Sequence, residues 1–382
     1  MKILFLDQSG KPGGAELSLL DTAKPYRDSC LVALFSDGLF RHLLEEQQIP
    51  VQVLASEPIQ VTKQSSLMNG LSSLGKLVPL IAKVVSLSRG YDLIYANTQK
   101  ALVVGAIASF FSRRPLVYHL HDILSGDHFS RTNRFLAVTL ANRFASLVIA
   151  NSKASQAAFV EAGGRPDIVD FVYNGFKPEL YQNHRSDSVQ LKQQIGLPGS
   201  FLVGHFSRLS PWKGQHILLE ALPYCPQDVS AILVGDALFG EQDYVKHLHE
   251  RVAVLGLEHR VRFLGFRSDI VPLMGACDLV AHTSTQPEPF GRVIVEAMLC
   301  ERPVVAAQAG GAVELVESGK TGWLVPPGDS LKLAAAITTC LNQPELTTTI
   351  AQQAKLQASL RFNLLTINRK IAQLLCRATK AK

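Results

Sequence analysis

Short runs of consecutive apolar residues alternate along this chain with longer stretches in which apolar positions recur every three or four residues. The runs ILFLD, CLVALF, VQVLA, DLIYAN, PLVYHLH, SLVIAN and DIVDFVYN form a first series, and FLVGHFS, SAILVGD, RVRFLGF, DLVAHTS, RPVVAA and GWLVP form a second. Unbroken apolar runs bounded by turn residues predict strands buried on both faces. Helix-length stretches between them predict crossovers, so each series reads as a parallel, doubly wound sheet. The fold class expected is α/β, with two Rossmann-like domains whose strand ends face a central cleft.

The polar segment NHRSDSVQLKQQIGLPGS separates the two series and ends in Pro and Gly, as linkers do. The division expected is a first domain over 1–185, a linker over 186–200 and a second domain over 201–358. The last segment, 359–382, reads as a helix with no strand after it, open to packing back on the first domain. A length of 382 residues suits two such domains.

With 47% hydrophobic and 18% charged residues, the chain falls among ordinary globular proteins and outside the disordered class. Its net charge of +6 suits an anionic substrate or an anionic membrane surface. No Lys/Arg-rich tract or RNA-recognition aromatic pattern occurs, so no nucleic-acid partner is expected. Six scattered cysteines without a CxxC pair read as reduced thiols. With no signal-peptide pattern at Met1 and no membrane-spanning stretch, a cytoplasmic protein is expected, at most peripheral on the inner membrane face. Between Gln60 and Arg114 stand seven basic residues and one acid, Asp92. That region reads as an ordinary helix with a solvated basic edge or as a surface helix turned toward anionic lipid; Gly70 and Gly75 favour the first.

Three features carry candidate chemistry, each just after a strand. The first, Gln8 to Glu16, is a Gly-rich turn opening a helix. It offers backbone N–H groups and a positive helix end to a phosphate, although its spacing is not GxGxxG. In the second, Arg208 and Lys213 put a planar fork and a point charge at a strand end before the helix QHILLEAL, where they would clamp a diphosphate. The third contains two carboxylates eight residues apart. Glu288 sits in a loop between prolines, while Glu296 lies on the second turn of a helix expected to begin near Gly291. Carboxylates so placed suit sugar or ribose hydroxyls. Each feature alone is also compatible with a solvated turn or a surface acid.

His42, His216, His247, His249 and His259 lie in polar stretches with no metal-ligand spacing, and His282 reads as a hydrogen-bonded structural residue near Glu288. No metal and no cofactor are expected. The rival readings are a nicotinamide enzyme using the first turn and Asp37, an epimerase or phosphorylase on the same fold, and a non-catalytic nucleotide-sugar-binding or scaffold protein.

Taken together, GGAE (Gly13–Glu16), His121-Asp122, SRLSPWKGQ (Ser207–Gln215), the FLGF…DI stretch (Phe263–Ile270), PEPFGRVIVEAM (Pro287–Met298) and GGAVELVESGKTGWLVPPGD (Gly310–Asp329) resemble one family. It is that of the retaining, GT-B-fold glycosyltransferases of family 4, or glycosyl transferases group 1, which includes sucrose-phosphate synthases and bacterial phosphatidylinositol mannosyltransferases. The resemblance implies that Arg208 and Lys213 hold a donor diphosphate, Glu288 holds the donor sugar and Glu296 accepts from the ribose hydroxyls. It further implies that Gly13 and Gly14 approach the phosphate and that His121 touches the transferred sugar. The amides at Phe290 and Gly291 would flank that sugar, and Gly265 and Phe266 would cradle the nucleobase. A nucleotide-sugar donor is implied, UDP before GDP, with a saccharide, glycolipid or lipid-linked acceptor. After Asn174-Gly175 this chain has Phe176-Lys177 where many relatives carry a hydrophobic residue and Asp, which leaves that loop without an implied role.

Overall fold

The computed structural model describes residues 1–54, 67–126, 129–182, 193–197, 201–237 and 240–380, with side chains of the helix Leu67–Ser88 from residue 78 onward. Lys63 and most of the expected linker lie outside the described residues.

The first sheet has seven parallel strands: β1 (Ile3–Asp7), β2 (Cys30–Leu34), β3 (Val51–Val53), β4 (Leu93–Ala96), β5 (Leu116–Leu120), β6 (Ala145–Ala150) and β7 (Val169–Phe171). Their order is β3-β2-β1-β4-β5-β6-β7, with Ile3 opposite both Cys30 and Leu93. The second has six, β8 (Phe201–Phe206), β9 (Val229–Val234), β10 (Val261–Gly265), β11 (Leu279–His282), β12 (Val304–Ala307) and β13 (Trp323–Val325), in the order β10-β9-β8-β11-β12-β13. Strand order reverses between β1 and β4 and again between β8 and β11. Chains diverge at the carboxyl ends of such strands and leave a crevice there.

Successive strand residues face opposite layers, as the pleat requires. Leu4 and Leu6 pack with Ile94, Leu102, Tyr118 and Val148, whereas Ile3 and Phe5 pack with Val32, Tyr95 and Val117. That second layer also takes in the last helix, Leu364–Lys380. Its apolar positions Ile367, Ile371, Leu374, Leu375 and Ala378 follow a helical stripe and are buried. Asn368 donates to the Asp21 carbonyl at 3.0 Å, and Arg377 pairs with Asp170 at 2.9 Å.

The compact units are accordingly Met1–Gly175 with Leu364–Lys382, and Phe176–Asn363. Composition alone put the first boundary at 185, but Phe176 already packs in the second unit. Its ring stacks on Phe290 (centroids 6.3 Å apart), lies under the Arg292 guanidinium (4.5 Å), and its N–H donates to the Phe362 carbonyl (2.8 Å). The final segment also starts later than 359, because the helix Pro344–Arg361 runs through that point.

In the helix Leu67–Ser88, Leu80 and Val84 are buried against the first sheet, and Lys83 donates to the Leu54 carbonyl at 3.0 Å. Among the described residues no helix is long and apolar enough to cross a membrane. All six cysteines are free thiols, and only Cys376 is exposed.

Candidate functional site

Four helices in the two units carry a side-chain N-cap. Thr98, Ser130, Ser152 and Asp329 each accept a backbone N–H at the start of their helices. The helices that follow β1, β8 and β11 begin instead at Gly13, Gly214 and Gly291, without a side-chain cap. All three stand at the strand-order reversals. At Gly214 and Gly291 no N-cap side chain stands over the first amides, the condition under which a helix end receives an anion.

In the first unit, β1 ends in Asp7, which is fully buried. Its oxygens accept from the Ser9 N–H (2.8 Å) and the Asn97 side-chain amide (2.7 Å). Asn97 follows β4 and reaches across the reversal, its other end meeting His121 Nε2 at 2.9 Å. An amide oxygen only accepts, so Nε2 carries the proton in this bond. The ring stands 3.9 Å from His119, whose Nδ1 meets the Tyr95 hydroxyl at 2.6 Å. Burial drives the His119 pKa down to about 3 and keeps that ring neutral.

Glu16 folds back over the head of its helix and accepts the N–H of Gly13; a Cβ on Gly13 would lie 2.8 Å from its Oε2. Burial first, then the charge of Asp7, pushes Glu16 up to about 8, while burial raises Asp7 to about 6. Both carboxyls are thus pushed toward the neutral form, which lessens the negative charge where an anion would sit.

In the second unit, Lys213 and Glu288 are in direct contact. Lys213 Nζ donates to both Glu288 oxygens, at 2.9 and 2.7 Å, while lying over the Trp212 ring at 4.0 Å. Glu288 also accepts from Ser284 Oγ (3.0 Å) and meets His282 Nε2 at 3.2 Å. Burial opposes its ionisation, but Lys213 and His282 outweigh it and hold the carboxyl well below its ordinary range. The Glu288 carbonyl accepts from Gly311 N–H at 2.6 Å. Gly310 makes that approach feasible: its φ is +59°, and a Cβ there would fall 2.3 Å from the Glu288 carbonyl oxygen.

Arg208 lies 3.5 Å from Glu241, which also accepts from Ser210 Oγ at 2.6 Å. Glu296 is half-buried on the helix Arg292–Leu299 and lies 3.5 Å from Arg292 one turn before it. Phe290 is 2% exposed and packs edge-on to Phe362, so only its backbone is offered to a ligand. Gly265 closes β10 at φ +63°, and Phe266 beyond it is 62% exposed, an aromatic face open to stacking.

Sequence reasoning thus found residues that meet (Lys213 with Glu288) and residues spread over strand ends in each unit. It missed Asp7, Asn97, Ser284 and Glu241, and His282 proves to be a direct partner of Glu288. Asp7 and Asn97 had a legible signal, since each is a polar residue at the carboxyl end of an apolar strand.

Two family models match the chain: Glycosyl transferase 4-like domain over residues 13–175 and Glycosyl transferases group 1 over 188–357. HepE of Anabaena, solved in complex with UDP-glucose, is 64% identical over 99% of this chain and 100% of its own, with a TM-score of 0.92. Sucrose-phosphate synthase of Thermosynechococcus elongatus, 21% identical with full coverage of both chains and a TM-score of 0.85, shares the fold. The D-inositol 3-phosphate glycosyltransferase of Salinispora arenicola is 28% identical over 70% of this chain and 65% of its own. The chain spans 58% to 65% of the length of the first curated relatives it matches. Two parallel doubly wound sheets, glycine-led helices at both reversals, and matches within residues 13–357 lead to one assignment: the chain is a GT-B-fold member of the glycosyl transferases group 1 family.

Proposed function

We propose that this chain is a retaining, metal-independent glycosyltransferase that moves glucose from UDP-glucose to a hydroxyl of a saccharide, glycolipid or lipid-linked acceptor. The donor rests on end-to-end identity of 64% with HepE, which was solved in complex with UDP-glucose. The observation that carries the chemistry is the Lys213–Glu288 contact, supported by Arg208 on the same strand-end loop.

The bond to break joins the anomeric carbon to a phosphate oxygen, and negative charge grows on the departing diphosphate as it lengthens. Lys213 and Arg208 address that charge, and because they are held in place they stabilise the transition state more than the ground state. Their charge is met by Glu288 and Glu241. A bound diphosphate would take over the cations, and Glu288 would turn its oxygens to the hydroxyls of the donor sugar. The backbone at Gly291, Gly13 and Gly14 would flank sugar and phosphate. Glu296 would accept from the ribose, Phe266 would stack on the base, and His121 would touch the transferred sugar. In a front-face displacement the acceptor oxygen bonds the anomeric carbon on the side the phosphate leaves. The acceptor proton passes to the departing phosphate oxygen, so configuration is kept.

The test combines ligand-induced stabilisation with product analysis. UDP-glucose at 100 times its dissociation constant should add about 2.7 kcal/mol of stability; UDP-glucose should stabilise more than GDP-glucose. NMR coupling constants should report an α product from the α-linked donor, with equal rates with and without EDTA. An inverted product, or loss of activity in EDTA with rescue by magnesium, would overturn the mechanism. Donor binding without transfer to any acceptor would favour the non-catalytic reading.

A further inference from the structure

The Glu288 carboxylate is held unequally at its two oxygens. Among the described residues Oε1 accepts from Lys213 Nζ alone, at 2.9 Å. Oε2 accepts from the same nitrogen at 2.7 Å and has two further donors, Ser284 Oγ at 3.0 Å and His282 Nε2 at 3.2 Å. A carboxylate only accepts, so Nε2 carries the proton in that bond. His282, Ser284 and Glu288 are all buried. His282 closes β11 in register with Ala306 of β12, so its ring is carried by the sheet, whereas Glu288 sits in a loop that bridges to Gly310. The same strand end also holds the other partner. Thr283 Oγ1 donates to the Gly214 carbonyl at 2.7 Å and the Thr285 N–H to the Trp212 carbonyl at 2.8 Å, which fixes the loop that carries Lys213.

A diphosphate that draws Lys213 away leaves a buried carboxylate without its lysine, and such a charge is costly unless other donors still satisfy it. The donors that stay are both on Oε2. We propose that His282 and Ser284 are positioning residues that keep Glu288 seated through Oε2 when Lys213 turns to the donor diphosphate, so that Oε1 is the oxygen freed for a sugar hydroxyl. Both act through Glu288. The inference rests on the proposed function and deepens it, narrowing the oxygens offered to the sugar to one. A residue needed only to fill this space would require no N–H aimed at the carboxylate.

Calorimetric titration of the full-length chain with UDP and with UDP-glucose tests the assignment. H282F keeps a ring in place and deletes the donor; affinity for both ligands should fall about tenfold or more, the worth of a hydrogen bond to a charged group. H282Q, whose amide can donate to the same oxygen, should recover most of that loss. The deciding measurement is a double-mutant cycle read with UDP, which draws Lys213 without presenting a sugar. In the E288A background H282F should change UDP affinity by about twofold or less, because the carboxylate through which His282 acts is gone. A packing role would cost the same factor in both backgrounds. Melting curves confirm folding, and S284A takes the place of H282F, with the same expected coupling to E288A, if the latter melts early. Equal losses with and without Glu288, unchanged affinity in H282F, or H282Q as weak as H282F would overturn the proposal. A parent chain that binds UDP but not UDP-glucose would refute the donor reading, while the UDP cycle would still decide the role of His282; binding of neither would refute both.

Discussion

Replacing Lys213 with alanine should do two separable things. At an effective dielectric near 20, two unit charges about 3 Å apart attract by roughly 5–6 kcal/mol, and most of this offsets the cost of desolvating them. The Glu288 and Lys213 side chains are only 10% and 17% exposed, so the lysine's loss strands a buried carboxylate. Breaking such a pair from one side costs about 3–5 kcal/mol, against a domain stability of about 5–15. K213A should therefore fold with a sharply lowered urea midpoint. Turnover should fall by about two to three orders of magnitude, the scale of losing one pre-organised donor to developing charge. Adding E288Q removes the stranded charge, so K213A/E288Q should regain much of the stability and none of the activity.

The pH dependence has a definite sign. A carboxyl held below its ordinary value of 4.5 contributes stability that is full above that pH and fades as pH falls through the folded-state value. In K213A that acid limb should shrink. Urea titrations from pH 3 to 8, with single-turnover kinetics on the same preparations, check both parts. Turnover within about fivefold of the parent chain would refute the charge argument for catalysis. A double variant no more stable than K213A would refute the burial argument.

Other expectations follow from the same geometry. Deleting Leu364–Lys382 exposes the layer that Ile367, Ile371, Leu374 and Leu375 cover; at about 1.5–3 kcal/mol for each side chain, the first unit should fail to fold cooperatively by calorimetry. Glu16, raised to about 8, stays protonated in the folded chain while the unfolded chain ionises above its ordinary value of 4.5. Folding stability therefore falls as pH climbs between those two values, and E16Q should become progressively more stable than the parent across that window in thermal melts. Gly310→Ala puts a Cβ 2.3 Å from the Glu288 carbonyl oxygen at φ +59°, so it should cost about 1–3 kcal/mol by urea denaturation and lower turnover by displacing Glu288. Asn97→Ala removes the acceptor that orients the His121 ring; turnover should fall by up to about 100-fold in steady-state assays, and turnover equal to the parent's would refute that positioning role.

The two-sheet architecture was legible because parallel strands buried on both faces leave unbroken apolar runs, as in ILFLD and SAILVGD. The boundary at Gly175 was not. Phe176 belongs to the second unit through ring contacts with Phe290 and Arg292, more than a hundred residues away. No local composition records a contact of that range. Arg208, Lys213 and Glu288 were found because charge beside glycine and proline at a strand end is unusual. Glu241 was missed because an acid ahead of a polar helix has the same pattern whether it faces solvent or a guanidinium 3.5 Å away. Glu16 was noticed for its place in a turn, but its protonation depends on Asp7 and on burial, and neither can be read locally.

The helix Leu364–Lys380 completes the layer over Ile3 and Phe5, so the unit that begins the chain is finished by the segment that ends it. Domains generally fold as units in the order in which they leave the ribosome. Here that order is inverted. The second unit has all its residues once Asn363 has emerged, whereas the first must wait, with an apolar sheet face uncovered, for Leu364–Lys380 to be made. Premature termination anywhere after Asn363 would leave a finished second unit tethered to an open first one. Such a product would be prone to aggregate through the face the missing helix should cover.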